Sequence, residues 1–203
     1  MNLDRVREYL LETSRTASRT ADECGEQILG ATAAIVESLR GGGKLMLCGN
    51  GGSAGDAQHL ATEFVSTLTL DRPRDAIAAI ALTTDTSLLT AVANDYGFEH
   101  VFARQVEALA REGDVLIGIS TSGNSANVVK AFERARAAGL RTIALTGGSG
   151  GGLGPLADIE INVPSSETSH IQEAHIAVGQ LIAFLVEDEL FPANTPASLP
   201  FGC

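Results

Sequence analysis

Six consecutive residues, Ser120-Thr121-Ser122-Gly123-Asn124-Ser125, carry four hydroxyls and precede a helical pattern, ANVVKAFERA. Hydroxyls at the amino end of a helix sit beside unpaired backbone N–H groups and the positive end of the helix dipole, a setting that holds a phosphate monoester. Ser125 falls at the N-cap. No Lys or Arg lies inside the motif, so a small anion held by neutral donors fits it best. An ordinary capped loop would explain Ser125 alone and leaves the other hydroxyls without a role.

Gly49-Asn50-Gly51-Gly52-Ser53-Ala54 matches G-x-G-x-x-A, the dinucleotide fingerprint. That fingerprint also wants an acid closing the second strand, and here the strand runs into Thr83-Thr84-Asp85, two residues short of its acid. A glycine turn that lets backbone approach a sugar explains the same residues, so no nucleotide cofactor is expected. A P-loop is absent, because GNGGSAGD lacks the Gly-Lys-Ser/Thr ending. On the next helical stretch His59 and Glu63 are four apart and share a face. They can act as metal ligands, as a general base with its orienting partner, or as a solvated pair. In the last helical stretch Ile171, His175, Val178, Ile182 and Leu185 form a 4-3-4-3 stripe, which places His175 in a core or subunit contact. Gln172 and Gln180 lie within about 80° around that helix and can face one cavity.

These groups need a scaffold that brings loops together. Short apolar runs at 44–48, 76–82, 114–120, 141–146 and 158–163 read as strands buried on both faces. Helical stretches at 54–66, 86–111 (broken near Gly97), 125–138 and 168–190 separate them, and one long or two consecutive helices cover 4–39. Crossovers of this length force parallel pairing, so the loops GNGGS, TTDTS, STSGNS, TGGSGG and SSETS gather at the carboxyl edge of one sheet. Hydroxyls and glycines dominate all of them.

Composition narrows the classes of partner. The 203 residues hold 14 Lys plus Arg against 25 Asp plus Glu, a net charge of -11, so nucleic acid and anionic membrane surfaces are excluded as partners. The longest charge-free apolar run, Ala174 to Val186, is shorter than the ~20 residues of a membrane span. The start, MNLDRVREYL, shows no secretory leader pattern, and Cys24, Cys48 and Cys203 form no disulfide framework or C-x-x-C. A reducing cytoplasm is the expected setting.

Taken together, GNGGSAGDAQHLATEF, ALTTDTSLLTAVANDYGFEHVFARQVEAL, REGDVLIGISTSGNSANVVKAF and IQEAHIAVGQLI resemble the bacterial phosphoheptose isomerases of the sugar-isomerase (SIS) family. GISTSGNSANV and Asn94-Asp95-Tyr96-Gly97-Phe98 are specific to that subgroup and its close relatives. The expected architecture is a single α/β flavodoxin-like SIS domain over 44–190, with an N-terminal helical segment over 1–43 and a loosely ordered tail over 191–203. The resemblance implies a homotetramer with active sites between subunits. It also implies conversion of sedoheptulose 7-phosphate into glycero-manno-heptose 7-phosphate through an enediol. Residue by residue, it assigns Ser120, Thr121, Ser122 and Ser125 to the substrate phosphate. Asn50, Gly51, Gly52, Ser53, Asp85, Asn94, Asp95 and Gln172 would line the sugar. Glu63 would move the proton between C1 and C2.

Some members of the family bind zinc with residues matching His59, Glu63, Gln172 and a fourth position, where the family has a second histidine that also serves as acid/base. This chain has Gln180 there. Glutamine cannot exchange a proton near neutral pH and is a poor metal ligand, so zinc is expected to bind weakly. His175 matches a different family histidine. Three readings stay open: Gln180 was introduced to cripple catalysis; it is natural in an isomerase relying on Glu63 with a metal or water; or the chain is a noncatalytic relative, like the SIS tetramers that bind the replication initiator.

Overall fold

A computed structural model describes residues 2–69 and 72–192; the tail from residue 193 onward lies outside the described residues. Five parallel strands, β1 (Leu45–Gly49), β2 (Ala79–Ala81), β3 (Val115–Ile119), β4 (Arg141–Gly147) and β5 (Ile159–Val163), form one sheet in the order β2-β1-β3-β4-β5. This is the flavodoxin-like doubly wound order. Every residue of β1 and β3 is buried, as their unbroken apolar runs demand when helices cover both faces. β2 departs from the longer strand expected over 76–82. It is an edge strand that pairs only with β1, and its Ile80 is exposed. The chain just before it is tied to helix and side-chain partners instead.

Among the described residues six α-helices complete the layers: α1 (Leu3–Arg40), α2 (Gly52–Val65), α3 (Thr86–Tyr96), α4 (Ala103–Leu109), α5 (Ala126–Ala137) and α6 (Thr168–Leu190). The first is continuous, which settles the choice between one helix and two. Between α3 and α4 the chain breaks at Gly97, whose φ of 96° lies in the left-handed region that glycine alone enters freely. α1, α2 and α6 cover one face of the sheet, where Ile28, Ile35, Phe64, Val178 and Ile182 meet Leu45 and Leu47. α3, α4 and α5 cover the other, where Val92, Val106 and Phe132 meet Met46 and Leu116. Each such side chain contributes roughly 1.5–3 kcal/mol by leaving water.

The stripe of α6 packs inside this chain's own core: Ile171, His175, Val178 and Ile182 are all buried. Apolar residues left in solvent include Leu3, Val6, Leu10 and Leu11 at the start of α1 and Leu181 and Phe184 on the outer face of α6. His175 donates from Nε2 to the Thr146 carbonyl at 2.9 Å, while its Nδ1 is buried without a partner. Burial pushes its imidazole down to about 4, the bond to Thr146 pulling the other way.

That depression has a pH consequence. The unfolded chain takes a proton at this histidine below its ordinary value near ~6.5, whereas the folded chain resists protonation until about 4. Stability is therefore fully present above the unfolded value and is lost as pH falls through that window, by about 3 kcal/mol. Urea unfolding between neutral pH and pH ~4.5 is expected to show this decline, with a shallower slope for His175→Gln, which keeps a donor for Thr146. Equal slopes in the two proteins would count against the assignment.

Candidate active site

The sheet order reverses between β1 and β3, so the chain after β1 turns to α2 on one face and the chain after β3 turns to α5 on the other. A crevice at the carboxyl ends of these neighbours is where ligands bind in such sheets. Gly51, with φ of 55°, makes the turn into α2, and Ser53 is buried in the helix's first turn. Asn50 and Asn127 span the crevice. Their amides hydrogen-bond reciprocally, Asn50 Nδ2 to Asn127 Oδ1 at 2.9 Å and Asn127 Nδ2 to Asn50 Oδ1 at 2.8 Å. Asn50 was expected to line a sugar, but its side chain here braces the two loops against each other. Asn127 was missed. Its one sequence signal is an amide among apolar residues in the first turn of α5, where it is buried.

In the 120–125 loop Ser120 is buried and its Oγ lies 2.9 Å from Ser125 Oγ. Ser125 occupies the N-cap position of α5, yet its hydroxyl caps no N–H and faces Ser120 instead. The two hydroxyls thus face each other at the mouth of the helix, with Thr121 half-buried and Ser122 exposed. Ser122 Oγ accepts from the Asn124 backbone at 3.2 Å. The loop is locked to the glycine-rich turn after β4: Leu153 N–H donates to Gly123 O at 2.9 Å, and Gly152 N–H to Asn124 Oδ1 at 3.0 Å. A Cβ on Gly123 would collide with the Gly150 carbonyl, so only glycine permits this approach.

α2 and α6 run side by side in the same direction. Gln172 lies over Gly52, where a Cβ would overlap its amide; Gly179 faces Leu60; Gln180 Nε2 lies 3.3 Å from His59 Nε2. His59 Nε2 is also 2.8 Å from Glu63 Oε1, the contact expected of a base and its orienting partner. One turn before His59, Asp56 has a buried Oδ2 without a partner, and burial pushes its carboxyl up against the pull of His59. Gln180 is brought to the His59–Glu63 pair, whereas Gln172 is not. It stands eight residues earlier, about 12 Å along α6.

The remaining candidates lie elsewhere. Asp85 is the N-cap of α3 and accepts from Leu88 N–H at 2.9 Å, so one oxygen is committed to the helix. Asn94 and Asp95 are exposed at the opposite end of α3, joined by a 2.7 Å bond, away from the strand-end edge of their own chain.

The donor set does not suit a resident zinc ion. Zinc sites draw on imidazole, thiolate and carboxylate. Here His59 and Glu63 bond to each other, the other two candidates are amides, and no group of three or more His, Cys, Asp or Glu is placed to hold a metal ion among the described residues.

Comparison with known proteins places the chain in a family. Residues 8–147 match the SIS domain family model. The chain is 54% identical to the phosphoheptose isomerase of Roseiflexus sp. over 85% of this chain and 87% of that protein. It is 51% identical to that of Rhodospirillum rubrum, over 92% and 98%. The structure of the phosphoheptose isomerase from Neisseria gonorrhoeae superposes with a TM-score of 0.86 at 43% identity, covering 91% of this chain and 98% of that one. With the family model matched over more than half of the chain and relatives this similar along nearly all of it, the chain belongs to the SIS domain family and, within it, to the phosphoheptose isomerases.

Proposed function

We propose that the protein is an aldose–ketose isomerase that converts sedoheptulose 7-phosphate into glycero-manno-heptose 7-phosphate. The observation that carries this is the His59–Glu63 pair, a carboxylate held by an imidazole at 2.8 Å, on a chain more than half identical to phosphoheptose isomerases. The noncatalytic reading is disfavoured by that identity and by the complete hydroxyl loop. Ser120, Thr121, Ser122 and Ser125 hold the phosphate by neutral hydrogen bonds at the start of α5. Glu63 takes the proton from C1 of the ketose. An enediol forms as water protonates O2, and Glu63 returns the carbon-bound proton at C2 as O1 releases its proton to water, so the oxidation at one carbon is balanced by reduction at its neighbour and no nucleotide cofactor is required. His59 donates to Glu63 and keeps the carboxylate aimed. Gln180 can hydrogen-bond the neighbouring sugar oxygens but moves no proton between them.

Within one chain the base stands eleven residues below Gly52, about 16 Å of helix from the strand-end edge where the phosphate loop sits. A site completed between subunits resolves this separation, and the exposed Leu3, Val6, Leu10, Leu11, Leu181 and Phe184 are suited to an assembly of copies, a tetramer in our reading. Asn94 and Asp95, exposed at the far end of α3, would then serve a neighbouring copy's site. Zinc, if supplied, would be held only weakly, because two of its four candidate ligands, Gln172 and Gln180, are amides beside His59 and Glu63. A reducing cytoplasm suits the free thiols of Cys24 and Cys48, and no helix among the described residues is long and apolar enough to cross a membrane.

The direct test is proton NMR of sedoheptulose 7-phosphate with the protein in deuterated water. Product signals and deuterium at the reacting carbon are expected; their absence at high enzyme concentration would sink the reading. In the same assay format, Ser120→Ala with Ser122→Ala is expected to weaken sugar-phosphate binding by about 1–3 kcal/mol, the scale of hydrogen bonds lost to a charged group. Calorimetry showing unchanged affinity would remove the phosphate from this loop.

A further inference from the structure

Arg74 sits in the segment between α2 and β2, where an arginine beside a proline and two aspartates reads as ordinary loop charge. Instead its side chain is 2% exposed and its partner Glu187, on α6, is 4% exposed. A guanidinium carries five N–H groups, and here they make five contacts. Nε donates to Glu187 Oε1 at 2.7 Å, and Nη2 reaches the same oxygen at 2.6 Å. Nη1 donates to the carbonyls of Phe64 at 2.9 Å and Asp75 at 3.0 Å, and Nη2 to the carbonyl of Glu63 at 2.6 Å. Glu187 Oε1 also accepts from Leu68 N–H at 3.1 Å.

The carbonyls it takes are those a helix cannot satisfy itself. The last four C=O groups of an α-helix have no partner within the helix, and α2 ends at Val65. Ser66 N–H covers Thr62; Arg74 covers Glu63 and Phe64. A cation at a helix carboxyl end also opposes the negative end of the dipole. The guanidinium is therefore a cap, supplied from outside the helix, on the turn that carries Glu63. Its counterion stands on α6 seven residues, two turns, beyond Gln180. The two helices meet at Gly179, whose bare Cα receives the Leu60 side chain, since a Cβ there would lie 2.5 Å from Leu60 Cδ1. Polar contacts add to that packing: Gln180 Nε2 lies 3.3 Å from His59 Nε2, and Glu187 is bound through Arg74 to the backbone of Glu63.

We propose that Arg74, held by Glu187, is a positioning residue for Glu63, fixing the last turn of α2 against α6 so that the carboxylate reaches the proton it moves. This rests on the isomerase reading above. Neither residue touches substrate. A buried ion pair is by itself weak evidence of a stabilising role, since apolar replacements of similar volume are often neutral or better. That fact supplies the experiment.

Removing one partner leaves an unpaired buried charge and risks misfolding, so the informative protein is Arg74→Met with Glu187→Leu. Its urea midpoint is expected to fall without loss of the fold, because the Glu63, Phe64 and Asp75 carbonyls and Leu68 N–H lose partners. Its kcat is expected to fall about 10- to 100-fold, the scale of a displacement of about 1 Å at a reacting group, with KM within about twofold because the phosphate loop is untouched. Arg74→Lys, with a single ammonium in place of the fork, should keep part of kcat. Nuclear Overhauser contacts between the Gln180 amide and the His59 ring report the register independently of turnover, and should be lost in the double variant. Unchanged kcat, or a loss confined to KM, overturns the inference. If the parent itself does not isomerise the sugar phosphate, the isomerase reading fails, and the Overhauser contact then decides: its persistence without Arg74 and Glu187 overturns the register claim as well.

Discussion

Gln180→His is expected to raise isomerisation of sedoheptulose 7-phosphate by about 10²- to 10⁴-fold, the usual contribution of one well-placed proton-transfer group. Isomerisation needs a base at C1 and C2 and an acid for the adjoining oxygens. In the proposed mechanism Glu63, 2.8 Å from His59, is the first, and the amide of Gln180 stands where the second would be needed. The amide of Gln180 already lies 3.3 Å from His59 Nε2, so an imidazole there needs no rearrangement of α6 to reach the same space. The parent should therefore turn over slowly and the variant faster. The new imidazole is also a better metal ligand, so both proteins should be assayed after dialysis against chelator and again with added zinc. A gain that survives chelation is proton transfer; one that appears only with zinc is metal binding. If the variant gains nothing and neither protein exchanges the C1 proton, a sugar-phosphate-sensing or protein-binding role becomes the better account.

The second large effect concerns Glu63. Glu63→Gln keeps the shape and a hydrogen bond to His59 but removes the base, and is expected to cost about 10²- to 10⁴-fold in kcat with little change in substrate affinity. Ser120→Ala with Ser122→Ala impairs the phosphate loop in the complementary way. If base and phosphate loop of one site come from different subunits, unfolding and refolding the two inactive proteins together should restore turnover, because some sites then draw intact halves from each. No recovery in a mixture whose mass confirms co-assembly would place both halves of the site in one chain.

Where several levels of the sequence agreed, the structure was legible. β1 and β3 are unbroken apolar runs between glycine turns, and both appear within a residue of expectation because two helical layers bury them. β2 was overestimated for the same reason. Apolar content alone does not separate a buried strand from an edge strand whose approach is held by Arg74 and by the bond from Ile77 N–H to Phe64 O. His59 and Glu63 were legible from helical spacing. Asn127 was not, since a lone amide in a helix has no pattern, and its pairing with Asn50 depends on two loops 77 residues apart meeting at one crevice. Asp85 shows a related ambiguity: the carboxylate that a ligand could use is also the natural start of α3.

The hydroxyl loop at the start of α5 contains no cation, and the whole chain carries a net charge of -11. A sugar phosphate approaching it is repelled at long range and attracted only on arrival. Dissolved salt screens the first interaction, over about 8–10 Å at physiological strength, far more than the second, which is made at hydrogen-bond distance in a partly enclosed site. Encounter should thus grow easier as ionic strength rises, the reverse of enzymes that gather phosphates with lysine and arginine.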